Sequence, residues 1–237
     1  MKLWYQSVAS LGHDPVWSDY ESAVARHISL VKEPETQVYV RGLEETSPQD
    51  AEKSPEILKN AVKAEKEGYD GFILGCFMDP RHESLRSFVE IPVVFTGETS
   101  MHLASLLGKK FVFLATSEGA ARRIFKNVGA YGLLDRAPIS AFLDLSLEAL
   151  ARAFKDPAYV LDLVFKRCEE LVSQGAEVII PGCGVLNALL AFHKVRRYKG
   201  ALILDTLGSA IKVGEMMVGL NRKVGLNFSR VKNNPLP

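Results

Sequence analysis

Short apolar segments alternate with longer amphipathic segments along the chain. The predicted strands cover residues 3–6, 38–41, 71–74, 93–95, 111–115, 139–142, 178–180, 202–204 and 224–227. Segments this short and apolar on both faces are typical of parallel strands covered by helices. The regular alternation of strand and helix patterns therefore predicts an α/β fold with mainly parallel sheets.

Capping residues mark where several of the predicted helices begin and end. Ser54 precedes Pro55, which is the usual sequence of an N-cap and a first helical residue, and Gly68 is a typical stop. Two further helices are predicted in the same way, one from Asp156-Pro157 to Gly175 and one from Ser117 to about Gly129.

Part of the chain is repeated. EGYDGFILGCF at 67–77 aligns with QGAEVIIPGCG at 174–184, which matches one Gly-Cys pair with another. The preceding segments, 54–68 and 161–175, align at the same offset, and IPVVFT at 91–96 aligns with ALILDT at 201–206. Because the order of the matches is the same in both copies, we interpret the pattern as an internal duplication.

The duplication predicts two pseudo-symmetric lobes, each a mainly parallel sheet flanked by helices, with the active site in the cleft between them. The length of 237 residues suits two such lobes of about 100–120 residues each. We assign residues 1–97 and 208–237 to the N-terminal lobe and residues 98–207 to the second lobe.

Each copy of the repeat places a cysteine, Cys76 or Cys183, just after a glycine at the end of a buried strand. Ligands of open parallel sheets bind at the carboxyl ends of the strands. A helix that begins there favours a thiolate over a thiol through its free N–H groups. We therefore expect both sulfurs to face one cleft in a reactive form.

Two equivalent thiols on opposite sides of a substrate suit the inversion of a stereocentre. One thiolate removes a proton from one face of the carbon while the other thiol delivers a proton to the opposite face. A neighbouring carbonyl must accept the negative charge, and N–H donors must hold the resulting oxyanion. The alternative is that the cysteines are small buried core residues, which is how we interpret Cys168 on the apolar face of its helix.

The segments GCFMDP (75–80), IPVVFTGET (91–99), LATS (114–117) and GAEVIIPGCG (175–184) resemble the aspartate/glutamate/hydantoin racemase superfamily. The resemblance is greatest to its hydantoin and allantoin racemase branch and covers nearly the whole chain. It implies an isomerase that needs no cofactor or metal and forms a homo-oligomer. It also implies that Cys76 and Cys183 are the two acid–base groups.

The same resemblance implies the substrate-binding residues. Ser7 after the first strand, with Thr116 and Ser117 after the equivalent strand of the second lobe, would bind the polar edge of the substrate. Backbone N–H groups near Phe77 and Gly184 would bind its carbonyl oxygens.

The sequence also departs from the family pattern. Aspartate and glutamate racemases tend to have Asn-Thr after the first cysteine and Thr-Glu or Thr-His after the second. Here Phe77-Met78 and Gly184-Val185 stand at those places, which argues against a free acidic amino acid as substrate. Gln6-Ser7 replaces the Asn-Pro-Asn of hydantoin racemases, and GCGVLN replaces a GCAGM-like segment.

Other polar residues receive structural interpretations. We expect Asp79-Pro80 to form a turn, Glu98 to cap the helix that follows it, and His193 to lie on a solvated helix face. Arg81 and His82 suit either an anionic substrate or a solvated loop. We expect Met216-Met217 to be core residues. His13, His27 and His102 lack metal-ligand spacing, and the chain contains no P-loop or dinucleotide-binding fingerprint.

Composition narrows the class of protein further. Lys and Arg total 29 and Asp and Glu total 28, so strong attraction to nucleic acid or to an anionic membrane is not expected. We find no apolar stretch of membrane-spanning length and no signal-peptide pattern, and we expect a cytoplasmic protein. Three widely spaced cysteines predict neither a disulfide framework nor a zinc site.

The function predicted from the sequence is a cofactor-independent racemase of a small molecule with a hydantoin-like or allantoin-like ring. Its acidic carbon lies next to a carbonyl. The alternatives are an aspartate or glutamate racemase, a related decarboxylase or cis–trans isomerase, and a non-catalytic ligand binder or thiol sensor on the same scaffold. A decarboxylase needs only one protonating cysteine, so the second cysteine favours racemisation.

Overall fold

The strands form two separate sheets. The structure is a computed structural model that describes residues 1–8, 17–44, 51–52, 54–137 and 140–229. The first sheet has the order β2-β1-β3-β4 and is entirely parallel. Its strands are β1 (Lys2–Gln6), β2 (Gln37–Arg41), β3 (Gly71–Leu74) and β4 (Val93–Phe95).

The second sheet repeats this arrangement. Its order is β6-β5-β7-β9-β8, and every pair is parallel except β8 with β9. The strands are β5 (Phe111–Ala115), β6 (Ser140–Phe142), β7 (Val178–Pro181), β8 (Arg197–Tyr198) and β9 (Ala201–Ile203). β3 and β7, which carry the two Gly-Cys pairs, therefore occupy equivalent positions, and the predicted α/β fold with two mainly parallel sheets is confirmed.

Helices flank both sheets. They are α1 (Ser18–Val31), α2 (Pro55–Lys66), α3 (His82–Leu85), α4 (Thr96–Leu107), α5 (Glu118–Ala130), α6 (Leu147–Arg152), α7 (Ala158–Ser173), α8 (Gly184–Phe192) and α9 (Thr206–Val224). The predicted caps are confirmed at α2 and α5, where Ser54 accepts a hydrogen bond from the Glu56 N–H and Ser117 accepts one from the Ala120 N–H. Gly68 follows α2 with a φ of 76°, a left-handed conformation that glycine adopts without strain.

Two helices connect the sheets by crossing from one to the other. α4 follows a strand of the first sheet, but its Met101 and Ala104 pack in one core cluster with Phe111 and Phe113 of the second sheet. α9 follows a strand of the second sheet, and its Gly214 lies against Ile73 of the first. The proposed division of the chain at residues 97 and 207 remains a prediction.

Two parts of the sequence-based prediction are wrong. Residues 224–227 are not a strand, because Val224 ends α9 and Gly225 adopts a left-handed φ of 73° that terminates the helix. Met216 is 53% exposed on α9, so only Met217 of that pair packs against the core. The short antiparallel strand β8 was not predicted, and Ile139, the first residue of the predicted strand 139–142, lies outside the described residues.

Cys168 belongs to the core, as predicted. It is fully buried on α7 together with Val160, Val164 and Leu171. No described helix has both the length and the apolar character that crossing a lipid bilayer requires.

Candidate active site

The first Gly-Cys turn begins where β3 ends. The Gly75 N–H donates a hydrogen bond to the Gln6 carbonyl oxygen over 2.8 Å, which extends the pairing of β3 with β1 by one residue. A methyl group at Gly75 would overlap the Tyr5 ring and hydroxyl, so only glycine fits here without displacing Tyr5. Cys76 follows and is 6% exposed.

The second turn has the same construction. The Gly182 N–H donates to the Leu114 carbonyl oxygen over 2.8 Å, which extends the pairing of β7 with β5. Cys183 is the N-cap of α8 in an extended conformation and is half-buried. The duplication seen in the sequence is therefore also found in the strand pairing at each Gly-Cys pair. The chain differs after the cysteines, because α8 begins directly after Cys183 whereas α3 begins only at His82.

The two turns lie against each other. A methyl group at Gly184, which follows the second cysteine, would lie 3.5 Å from the Gly75 carbonyl oxygen and 3.7 Å from the Tyr20 hydroxyl. The structure therefore brings together Cys76, Cys183 and Gly184 from among the predicted site residues. It adds Tyr20, which the sequence analysis did not select.

Backbone N–H groups that follow each cysteine act on its sulfur. The N–H of Met78 lowers the pKa of Cys76, and the N–H groups of Val185 and Leu186 in the first turn of α8 lower the pKa of Cys183. Cys183 is the N-cap residue of α8, but its side chain makes no capping hydrogen bond.

Burial nevertheless raises the pKa of both thiols. Burial raises the pKa of Cys76 to about 12; the Met78 N–H opposes this shift, whereas the charges of Asp79 and Cys183 add to it. Burial also raises the pKa of Cys183, although the N–H groups at the start of α8 lower it in part. The expectation that the helix start favours a thiolate is therefore wrong for the ligand-free protein. Burial destabilises the thiolate more than the N–H groups stabilise it.

Ser7 and Tyr20 form a hydroxyl pair beside the turns. Ser7 is buried at the carboxyl end of β1, and its hydroxyl hydrogen-bonds to the hydroxyl of Tyr20 on α1. Tyr20 was missed because α1 shows only an ordinary apolar face in the sequence, and no spacing rule links it to either cysteine.

Three other predicted binding residues have partners within the fold. The Phe77 side chain is buried in the core cluster that contains Met101. The Ser117 hydroxyl caps α5 over 3.2 Å, and the Thr116 carbonyl oxygen accepts from the Leu145 N–H over 2.8 Å. Thr116 and Ser117 follow β5 as Ser7 follows β1, but contact of any of these residues with substrate remains a prediction.

Asp79 fixes the segment that follows the first cysteine. Its buried carboxylate accepts hydrogen bonds from the N–H groups of Gly97 (2.8 Å) and Glu98 (2.6 Å) and from the Tyr131 hydroxyl (2.8 Å). Burial raises the pKa of Asp79 to about 7 although these hydrogen bonds oppose the shift. Asp79 therefore caps α4, a role that its Asp-Pro turn sequence did not reveal.

Glu98 does not cap α4, which corrects the prediction. It pairs with Arg86 and with His82, whose Nε2 lies 3.2 Å away. Burial would raise the pKa of Glu98, but these two partners lower it to about 2. Arg81 donates to the Ser54 carbonyl oxygen over 3.2 Å, so Arg81 and His82 both have partners within the protein.

The second lobe contains a corresponding cap. Asn187, four residues after Cys183, accepts a hydrogen bond from the Thr206 N–H over 2.8 Å at the start of α9. Asp205 accepts from the Gly208 N–H over 3.0 Å and lies 2.5 Å from His27 of α1. In each lobe, a polar side chain after the cysteine thus holds the start of the helix that follows the neighbouring parallel strand, β4 or β9.

Two observations concern the remaining histidines and metals. His193 is the half-buried C-cap of α8 and lies edge-on to Phe192, so it is not on a fully solvated face as predicted. Within the described ranges of the chain, no three His, Cys, Asp or Glu side chains form a group suited to a metal ion.

Comparison with known proteins identifies the family to which the chain is related. The family model described as Asp/Glu/Hydantoin racemase matches residues 28–212. Hydantoin racemase from Rhizobium meliloti is 24% identical over 194 residues, which cover 81% of this chain and 77% of that protein. Two solved structures share the fold. Allantoin racemase from Klebsiella pneumoniae has a TM-score of 0.82 with 21% identity, covering 100% of this chain and 96% of that one. Allantoin racemase from Pseudomonas fluorescens has a TM-score of 0.77 with 19% identity, covering 98% and 95%.

The family match spans most of the chain and includes both cysteine turns, which lie against each other in the structure. The resemblance drawn from the Gly-Cys segments is confirmed. The chain belongs to the Asp/Glu/hydantoin racemase family.

Proposed function

We propose that this protein is a cofactor-independent racemase that uses Cys76 and Cys183 as opposed acid and base. The observation that carries the proposal is the contact between the two duplicated turns, with Gly184 set against the Gly75 carbonyl oxygen. Each turn places one sulfur at the carboxyl end of a central strand, where parallel sheets bind their ligands.

The proposed reaction transfers one proton at each face of the substrate carbon. A thiolate removes the proton from one face and becomes a thiol, and the electron pair of the C–H bond moves into the neighbouring carbonyl as an enolate. The opposite thiol then protonates the other face and becomes a thiolate. The two cysteines finish with their protonation states exchanged, and proton transfer with water restores the starting state.

We propose a neutral ring with a hydantoin-like or allantoin-like ureide as the substrate. Uncharged donors lie next to the cysteines: the hydroxyls of Ser7 and Tyr20 and the N–H of Gly184 at the start of α8. The charges of Asp79 and Arg123 also act on Cys76, with opposite effects on its pKa. The uncharged donors suit amide carbonyl oxygens, and the relatives named hydantoin and allantoin racemases act on rings of this kind.

Deuterium exchange with single-cysteine variants tests the mechanism. Cys76→Ser and Cys183→Ser should each abolish racemisation, since a serine hydroxyl is a far weaker base than a thiolate. Each variant should still exchange the stereocentre proton of one enantiomer only, and the two variants should prefer opposite enantiomers. Cys168→Ser is the matched control and should racemise normally if it folds.

Other outcomes would select among the alternatives. Racemisation at the wild-type rate in both variants would contradict the proposal. A substrate panel of hydantoins, allantoin, aspartate, glutamate and a malonate separates ring racemisation from amino-acid racemisation and decarboxylation. Reversible oxidation of the thiols without turnover of any substrate would instead indicate a sensor.

The remaining predictions need separate measurements. Activity should survive chelator and extensive dialysis, because the proposed chemistry uses only thiols and hydrogen-bond donors. Loss that added metal or pyridoxal phosphate restores would refute cofactor independence. The homo-oligomer and the cytoplasmic location are predictions that sedimentation and cell fractionation would test.

A further inference from the structure

Tyr20 lies where the two lobes meet. Its hydroxyl lies 3.7 Å from the point that a methyl group at Gly184 would occupy, and that same point lies 3.5 Å from the Gly75 carbonyl oxygen. One phenol thus reaches the contact between the first cysteine turn and the second.

The position of Tyr20 is fixed by packing. Its side chain is 2% exposed and lies edge-on to Trp17 at 6.0 Å and to Phe154 at 6.2 Å between ring centroids. The helix that carries it is attached two turns later, where His27 pairs with Asp205 at the start of α9. A hydroxyl held in this way loses little further freedom when it binds a ligand.

The electrostatic environment keeps this phenol neutral. Burial raises the pKa of Tyr20, the hydrogen bond from Ser7 lowers it, and the charges of Cys183 and Cys76 raise it further. A phenol that stays protonated beside two thiols is a hydrogen-bond donor and not a base.

The hydrogen bond between Ser7 and Tyr20 leaves the phenol able to donate. A hydroxyl oxygen can accept one hydrogen bond while its own hydrogen is donated elsewhere. When Ser7 donates to Tyr20, the hydrogen of the phenol is available to a ligand.

We propose that the Tyr20 hydroxyl donates a hydrogen bond to the substrate oxygen that becomes the enolate oxygen, and that it is a third catalytic residue. This inference rests on the proposed racemase function. No covalent bond forms: the thiolate takes the proton from carbon, the electron pair moves to the carbonyl oxygen, and Tyr20 stabilises the charge there. A neutral donor at this place selects amide or imide carbonyls of uncharged rings.

Replacement of Tyr20 by Phe removes the hydroxyl and keeps the ring. Loss of one oxyanion donor lowers kcat by about 100-fold, so Tyr20→Phe should slow stereocentre exchange of 5-methylhydantoin by that order, with little change in KM. Tyr159→Phe is the matched control, because Tyr159 is 67% exposed on α7, and it should exchange at the wild-type rate.

A binding measurement separates this role from a purely structural one. Barbiturate is a planar ring that is already an enolate anion at neutral pH, and it resembles the intermediate. Tyr20→Phe should weaken barbiturate binding at least about 10-fold more than 5-methylhydantoin binding, because the donor acts on developed charge. Titration calorimetry of both ligands, with circular dichroism to check folding, gives this ratio.

Three results would overturn the inference. The first is an unchanged exchange rate in Tyr20→Phe, and the second is an equal loss of affinity for both ligands. The third is a shift in the pH dependence of thiol alkylation in ligand-free Tyr20→Phe, because that shift would mean that Tyr20 acts on the thiols and not on the substrate. If Cys76→Ser and Cys183→Ser abolish racemisation while Tyr20→Phe does not impair it, only this inference fails. If both cysteine variants racemise normally, the proposed function fails as well.

Discussion

His27 Nε2 lies 2.5 Å from Asp205 Oδ2, and this contact joins α1 to the start of α9. Asp205 is also the N-cap of α9, where its side chain accepts a hydrogen bond from the Gly208 N–H. The two residues are far apart in the sequence, so the pair fixes α1 on the face where the cysteine turns meet.

The pair predicts a pH-dependent contribution to stability. Burial would raise the pKa of Asp205, but the hydrogen bond and charge of His27, with the Gly208 N–H and Asn187, lower it overall. A carboxyl whose pKa is lower in the folded state stabilises the fold above its unfolded pKa of about 3.9 and loses that contribution as pH falls. His27→Gln should therefore cost about 1–3 kcal/mol near neutral pH and less in acid.

Urea unfolding at pH 7 and near pH 3 measures this difference. His102→Gln is the matched control, since His102 is exposed on α4, and it should change stability little at either pH. The interpretation fails if the loss for His27→Gln is the same at both pH values or if the control loses as much.

Thiol reactivity provides a second prediction. Burial raises the pKa of Cys76 to about 12 and also raises that of Cys183. In ligand-free protein, both should therefore react slowly with iodoacetamide near pH 7 and faster as pH rises toward 10, because only the thiolate reacts. The half-buried Cys183 should react before Cys76. Peptide mapping by mass spectrometry reports each site, and rapid pH-independent alkylation at neutral pH would contradict this prediction.

The sequence predicted the parts of the site that are local or duplicated. Gly75-Cys76 and Gly182-Cys183 each follow a buried strand, β3 and β7, and the alternation of strands and helices predicts that these strands pair in parallel. The helix caps at Ser54 and Ser117 also depend only on neighbouring residues. These features could be predicted because the residues that cause them are neighbours in the sequence.

What the sequence did not reveal depends on contacts between distant segments. Asp79 caps α4 across a strand, and Tyr20 reaches the cysteines from a helix that no motif connects to them. The thiol pKa was predicted in the wrong direction because the cost of burial depends on how both lobes enclose the sulfur. Residues 224–227 have a strand-like composition, but Gly225 ends α9 there and they join neither sheet.

Cys168 tests the distinction between core and site cysteines. It is fully buried on the apolar face of α7. Cys168→Ala removes one sulfur atom from the core and should cost about 1–2 kcal/mol of stability by thermal or urea unfolding. Racemisation by the folded variant should be unchanged, and a loss of catalysis without a loss of stability would show that this helix was misinterpreted.

Gly184 gives the sharpest test of the proposed cleft, because a methyl group there would contact both the first cysteine turn and Tyr20. The atoms nearest to that methyl group would lie at ordinary van der Waals distances, 3.5 Å for the Gly75 oxygen and 3.7 Å for the Tyr20 hydroxyl, so the fold should accept alanine. Stability should change by less than about 1 kcal/mol, since alanine favours a helix over glycine. Substrate in the same space would be displaced, and kcat/KM should fall at least about 10-fold.

Two further glycines serve as controls for Gly184→Ala. Gly119 lies in the first turn of α5 with no atom near the added methyl group, so Gly119→Ala should change neither stability nor activity. Gly75→Ala would overlap Tyr5 and should lose stability by about 1–3 kcal/mol as well as activity. Steady-state kinetics and urea unfolding of the three variants separate the effects. Because Gly184→Ala alone is expected to lose activity while keeping its stability, a fully active Gly184→Ala protein would mean that substrate binds elsewhere.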